Sequence, residues 1–170
     1  NRAASAANLL ENPAEVGNYR EYRTFTGTYK NIPVTISSHG VGASGAVICF
    51  QELIKAGAQS IIRTGTCGGM QTKVKDGEMV IGTGAVRDDG TTPFLIPLGY
   101  PAISDGAVVE ALKTCAAVHQ VTTHTGFIYT IANLYPELLP ESYDLYAKAG
   151  VMAVEMELAA LLVVASLHGV

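Results

Sequence analysis

Residues 43 to 69 read ASGAVICFQELIKAGAQSIIRTGTCGG, and the pattern changes character within them. Val47, Phe50 and the Leu53/Ile54 pair recur at helical spacing, and Gly57 stands where a helix C-terminal stop is favoured. From Gln59 the pattern becomes a short apolar run, predicted as a buried strand, that ends in Arg63 and a loop of small hydroxyl, thiol and glycine residues. A helix, then a strand, then a glycine loop is the building unit of an α/β protein.

The same alternation continues on both sides. YRTFTGTYKNIPVTISSHG, from Tyr22 to Gly40, carries two β-rich runs around YKNIP, whose lysine, asparagine and proline suit a hairpin turn. GEMVIGTGAVRDDG is predicted as a strand whose glycines allow close backbone approach. DGAVVEALKTCAAV reads as an amphipathic helix, VTTHTGFIYTI as a strand and AVEMELAALLVVASLHGV as a final buried helix. A single α/β domain over residues 1–170, with a mixed or parallel sheet, is the expectation.

Composition narrows the function classes. The chain has 11 Lys and Arg residues, no basic run and a net charge of -4, which argues against a general nucleic-acid binder, since a phosphate backbone needs clustered positive charge. A small anion needs only a local arginine. The 3 cysteines, Cys49, Cys67 and Cys115, are widely spaced and form neither a disulfide framework nor a CxxC metal motif, so a reducing cytoplasm is expected. The first residues lack a signal-peptide core, and the longest apolar stretch, LAALLVVASL, is too short for a membrane span. The four histidines show no metal spacing, and no metal is expected.

Three places invite a chemical reading, each beside a plainer one. Arg63, the hydroxyls of Thr64 and Thr66, and the backbone of Gly65, Gly68 and Gly69 are the elements of an anion site at a strand's carboxyl end. They are equally the elements of a tight turn with an exposed arginine. HGVGASG, from His39 to Gly45, is a second glycine loop that opens a helix, where free N–H groups favour anions; a plain connection is the alternative. Glu155 and Glu157, in EME at the edge of an apolar helix, cannot both enter the core unpaired. Either one faces a cleft, where carboxylates suit sugar hydroxyls, or both serve the helix dipole. Cys67 is expected to pack as a small residue, His119 and His124 to be solvated, and Arg87, Asp88 and Asp89 to form a surface loop.

Six segments in order, NYREY, SSHGVGASGAVICFQEL, IIRTGTCGGMQ, GAVRDDGTTPFLIPLGYPAISD, LYP and VEMELAALL, make the sequence resemble the nucleoside phosphorylase I family. The likeness is to its branch of uridine phosphorylases and apicomplexan-type purine nucleoside phosphorylases. It implies a central mixed, partly barrel-like β-sheet flanked by helices in a three-layer α/β/α arrangement. It also implies reversible phosphorolysis of a uridine or purine nucleoside to free base and ribose 1-phosphate, with inorganic phosphate as co-substrate and no cofactor.

The resemblance further implies roles for single residues. Arg63 and Thr66 would bind phosphate, joined by Arg20 from a neighbouring subunit of a dimer or hexamer. Glu155, Met156 and Glu157 would hold the ribose, and Cys67, Gly68, Leu134 and Tyr135 would border the base. The family's Gly-Asp-Pro-x-Arg loop, which supplies a further phosphate arginine, is expected to be missing, as is a C-terminal strand. Thr130, Ile131 and Ala132 replace the family's Ser-Ser-Asp, Leu134 replaces an aromatic, and ELLPESYDLY lacks the Gln-x-Arg pair that reads uracil. A superfamily nucleosidase that uses water and a nucleoside-binding relative without turnover stay open beside the phosphorylase.

Overall fold

The computed structural model describes residues 2–135 and 142–170. A three-stranded antiparallel sheet is built from β1 (Glu11–Tyr19), β2 (Tyr22–Tyr29) and β3 (Ile32–Ser37), and α1 (Arg2–Ala7) packs on it. The hairpin expected around YKNIP is present: Lys30 (φ 51°) and Asn31 (φ 65°) form its two-residue tip, and Tyr29 pairs with Ile32. Positive φ at both central residues matches the right-handed twist of the flanking strands.

The second sheet is mixed. It contains β4 (Gly68–Gly69), β5 (Met79–Asp88), β6 (Ala102–Ile103), β7 (Thr123–Ile131) and β8 (Ala153–Glu155) in the order β4-β8-β7-β5-β6. Strands β5, β7 and β8 run parallel, while β4 and β6 are antiparallel edges. The register Asp88↔Ile131 and Thr130↔Glu155 puts the carboxyl ends of the three parallel strands on one side. Helix α2 (Ala43–Lys55) packs on α5 (Leu158–His168), which in turn covers β5, and α3 (Gly106–Val118) also lies against β5. Ala46, Phe50, Ala160, Leu161 and Val164 form the core between α2 and α5. Gly82 lets α5 come close: an added Cβ there would lie 2.6 Å from Leu158 Cδ2.

The α/β expectation therefore holds, with four corrections of detail. Residues 59–67 form no regular strand, and Ile62 is 55% exposed. The path of this segment is set by Arg63, whose side chain turns to two buried carboxylates, and only Gly68–Gly69 joins the sheet. Arg87 and Asp89 are buried rather than in a surface loop. All donors of Arg87 are taken up by the 92–100 segment, through the Thr92 side chain and the carbonyls of Thr92, Ile96, Pro97 and Tyr100. Asp89 accepts from the Thr91 and Thr92 amides and the Thr92 hydroxyl. His124 is not simply solvated, since its Nε2 lies 2.7 Å from Glu78 Oε2. Finally, α1, β1 and α4 (Tyr143–Lys148) are elements that the apolar pattern does not announce. The stretch 136–141, which holds the end of LYP and the first half of the continuation without Gln-x-Arg, lies outside the described residues.

Candidate active site

Glu155 ends β8, where the parallel sheet presents its carboxyl edge, and its side chain is almost fully enclosed. Its Oε1 accepts from the Thr130 hydroxyl at 2.6 Å. Its Oε2 accepts from the amides of Glu157 and Leu158, each at 2.8 Å, and so satisfies donors that the first turn of α5 would otherwise leave open. Thr130 in turn accepts from Ala159 N at 3.0 Å. Glu155 thus serves the start of α5, while Glu157 faces the cavity.

Glu155 also holds Arg63. The guanidinium Nη1 lies 2.9 Å from Glu155 Oε2, and Nη2 donates to Glu157 Oε2. The other oxygen of Glu157 accepts from Gly42 N at 2.5 Å. Gly42 has φ 89° at the start of α2, a conformation that glycine adopts without penalty. One largely enclosed cation is therefore shared by two buried carboxylates. Breaking such a pair from one side is costly, typically about 3–5 kcal/mol, because the remaining charge has no water. The Arg63 Nε and His39 Nδ1 are buried polar atoms without a protein partner among the described residues, an uncommon condition that often marks a place made for another molecule.

These groups open onto a cavity of about 350 Å³. Arg2, Arg63, Thr64, Thr66 and Glu157 supply its polar wall, together with the Gly65 and Gly68 backbone. Val41, Ile131, Leu134, Val154 and Met156 supply its apolar wall. Burial, reinforced by the Arg63 charge, holds the His39 imidazole below its ordinary pKa against the opposing pull of Glu157, so it faces the cavity as a neutral ring. Burial and the nearby Glu155 push the Cys67 thiol up, against Arg63, which keeps it protonated and unsuited to nucleophilic attack.

Most of the residues proposed from sequence meet here. Arg63, Thr66, Cys67, Gly68, Leu134, Glu155, Met156 and Glu157 all line the one cavity. Tyr135 does not line it, and Arg20 sits at the β1–β2 turn with its guanidinium 5.3 Å from the Tyr19 ring. Arg2 and Tyr143 line it without having been singled out, and His39, Gly40 and Val41 bring in the start of the HGVGASG loop. Arg2 carries the signal most open to sequence reading: it is an arginine upstream of NYREY, the side on which the family resemblance places a further phosphate arginine.

Across residues 2–170 the sequence matches the family model described as the phosphorylase superfamily. The chain belongs to the phosphorylase superfamily. Among similar superfamily members, the uridine phosphorylase of Treponema pallidum is 37% identical, with 99% of this chain and 69% of that protein covered. The purine nucleoside phosphorylase of Plasmodium vivax is also 37% identical, over 95% of this chain and 67% of its own. The crystal structure of uridine phosphorylase from Vibrio fischeri ES114 superposes with a TM-score of 0.95 at 31% identity, covering 99% of this chain and 71% of that one. The mixed sheet, the antiparallel sheet and the helices are thus the superfamily's fold. Among the described residues no group of three or more His, Cys, Asp or Glu side chains is placed to hold a metal, and no helix is long and apolar enough to cross a membrane.

Proposed function

We propose that this chain is a nucleoside phosphorylase, a pentosyltransferase that cleaves a uridine or purine nucleoside with inorganic phosphate to give free base and ribose 1-phosphate. The observation that carries the reading is the meeting of Arg63, Arg2 and Thr66 with Glu157 in one cavity beside an apolar wall. Cations and hydroxyls suit the phosphate, the carboxylate suits ribose hydroxyls, and the apolar wall suits a planar base. The superfamily relatives named above carry the same activities in their names.

In this reading a phosphate oxygen attacks the anomeric carbon while the bond from that carbon to the base nitrogen breaks, and the bonding pair leaves with the base. The sugar passes through an oxocarbenium-like state, as in glycoside cleavage. Arg63, Arg2 and Thr66 hold the nucleophile against one face of the sugar, and charge-assisted contacts of this kind contribute roughly 1.5–3 kcal/mol each. Glu157 accepts the ribose hydroxyls, and Met156 packs on the sugar. Glu155 acts differently from the sequence-based assignment: its oxygens are engaged by Thr130, the α5 amides and Arg63, so it fixes Arg63 and Glu157 at the ribose edge. Cys67, Gly68 and Leu134 border the base, and Tyr135, which does not line the cavity, has no part in holding it. No cofactor enters the reaction.

Arg20 is exposed and lies outside the cavity lining, which suits the role of completing a neighbouring subunit's phosphate site in a homo-oligomer, a dimer or a hexamer built as a trimer of dimers. Three free thiols suit a reducing cytoplasm. The test is release of free base from uridine, inosine, adenosine and thymidine with and without phosphate. Phosphate-dependent release with ribose 1-phosphate as co-product supports the proposal; release at the same rate without phosphate makes the protein a hydrolytic nucleosidase.

A further inference from the structure

The apolar wall of the cavity is mostly aliphatic: Val41, Ile131, Leu134, Val154 and Met156 present methyl-bearing chains. The aromatic exception among the described lining residues, apart from His39, is Tyr143. His39 lies within electrostatic reach of Arg63 and Glu157, and its ring packs edge-on with Phe50. Tyr143 packs in the same hydrophobic cluster as Ile131, Val154 and Met156, so it adjoins the apolar lining residues.

Its orientation is fixed from behind. The Tyr143 ring meets the Tyr129 ring edge to face, with centroids 5.6 Å apart and planes at 78°. Tyr129 is fully buried, and its hydroxyl donates to Asp88 Oδ2 at 2.6 Å. The second neighbour of Tyr129 is Tyr146, one turn further along α4, with centroids 4.6 Å apart. A half-buried ring supported in this way loses little freedom when a flat ligand settles on it.

We propose that Tyr143 is a specificity-determining residue of the site, the aromatic surface on which the nucleobase stacks. This rests on the nucleoside reading of the cavity. Flat heteroaromatic rings gain from an aromatic partner beyond the area they bury. A bicyclic base covers more of the ring than a monocyclic one, so the side chain favours purines over pyrimidines.

The experiment uses the intact chain and measures equilibrium binding of hypoxanthine and of uracil by calorimetry, beside nucleoside and phosphate KM. Tyr143→Ala is expected to weaken hypoxanthine binding about three- to tenfold and uracil binding less. Phosphate KM should stay within about twofold, and Tyr143→Phe should keep wild-type affinity. Tyr143→Leu, which retains bulk, is the companion variant if the alanine form does not fold, and it should lose affinity in the same direction. The proposal is overturned if the folded alanine or leucine variant binds hypoxanthine as wild type does, if the phenylalanine variant loses as much as alanine, or if wild type binds neither base. A wild type that binds base but shows no turnover with phosphate would sink the phosphorylase reading and leave the stacking role standing.

Discussion

Arg63 illustrates how one side chain can be structural and functional together. Its guanidinium is shared by Glu155 and Glu157 inside the protein and also lines the cavity. Arg63→Met should therefore lower stability by about 3–5 kcal/mol, read from urea unfolding, because two carboxylates lose their cation. An unfolding midpoint equal to wild type would show that water reaches these carboxylates.

His39 gives the residue-scale pH dependence. Its folded pKa lies below the ordinary 6.5 through burial first and the Arg63 charge second, so the unfolded chain binds its proton more readily than the folded one. The contribution of His39 to stability is complete above the unfolded value and is lost as pH falls from there toward the lowered folded value. Replacing it by glutamine should flatten the acid-side slope of the unfolding free energy just below about pH 6.5, measured by urea titrations at several pH values. An unchanged slope would assign that dependence to other groups.

At the scale of elements, the junction of β7, β8 and α5 depends on Thr130, whose hydroxyl donates a hydrogen bond to Glu155 and accepts one from the amide of Ala159. Thr130→Val keeps the volume and removes both bonds. A cost of about 1–3 kcal/mol is expected from the groups left unsatisfied, visible as a lower thermal midpoint with loss of activity in proportion. A midpoint unchanged from wild type would mean that the junction stands without the hydroxyl.

The same elements show which features the sequence makes legible. Helix α2 and the β2–β3 hairpin can be read because period and turn chemistry are local, and β5, β7 and α5 because their apolar content is. The segment around Ile61 and Ile62 looks like a strand by the same apolar signal. It is not one, because Arg63 follows Glu155 and Glu157, which are remote in sequence. Arg87 beside two aspartates looks like a solvated turn. Its acceptors are mostly backbone carbonyls between Thr92 and Tyr100, and carbonyls leave no trace in the residue pattern. The site shows the same division: the RTGTCGG loop, EME and the HGVGASG loop that His39 opens stand out as clusters, whereas Tyr143 reaches the cavity only through the fold.

For the whole molecule, the proposed sharing of Arg20 between subunits has a direct consequence. Arg20→Ala and Arg63→Ala chains should each be nearly inactive, yet a mixed dimer pairs the intact Arg63 of one chain with the intact Arg20 of the other. Random re-association of equal amounts should restore roughly a quarter of wild-type activity, since half the dimers are mixed and each has one complete site. Activity that stays at the level of the separate variants would place Arg20 outside the neighbouring site.

Whether phosphate is the nucleophile held by Arg63 decides which reaction this chain performs. The most direct measurement is the initial rate of base release as phosphate is raised, for wild type and for folded Arg63→Ala. A saturable rise in wild type, with ribose 1-phosphate formed in step with free base, and a fall of at least about a hundredfold in kcat/KM for phosphate in the variant are predicted, consistent with the loss of a charge-assisted contact and of the order around it. Base release that ignores phosphate, or an Arg63→Ala protein that uses phosphate as well as wild type does, would contradict this reading.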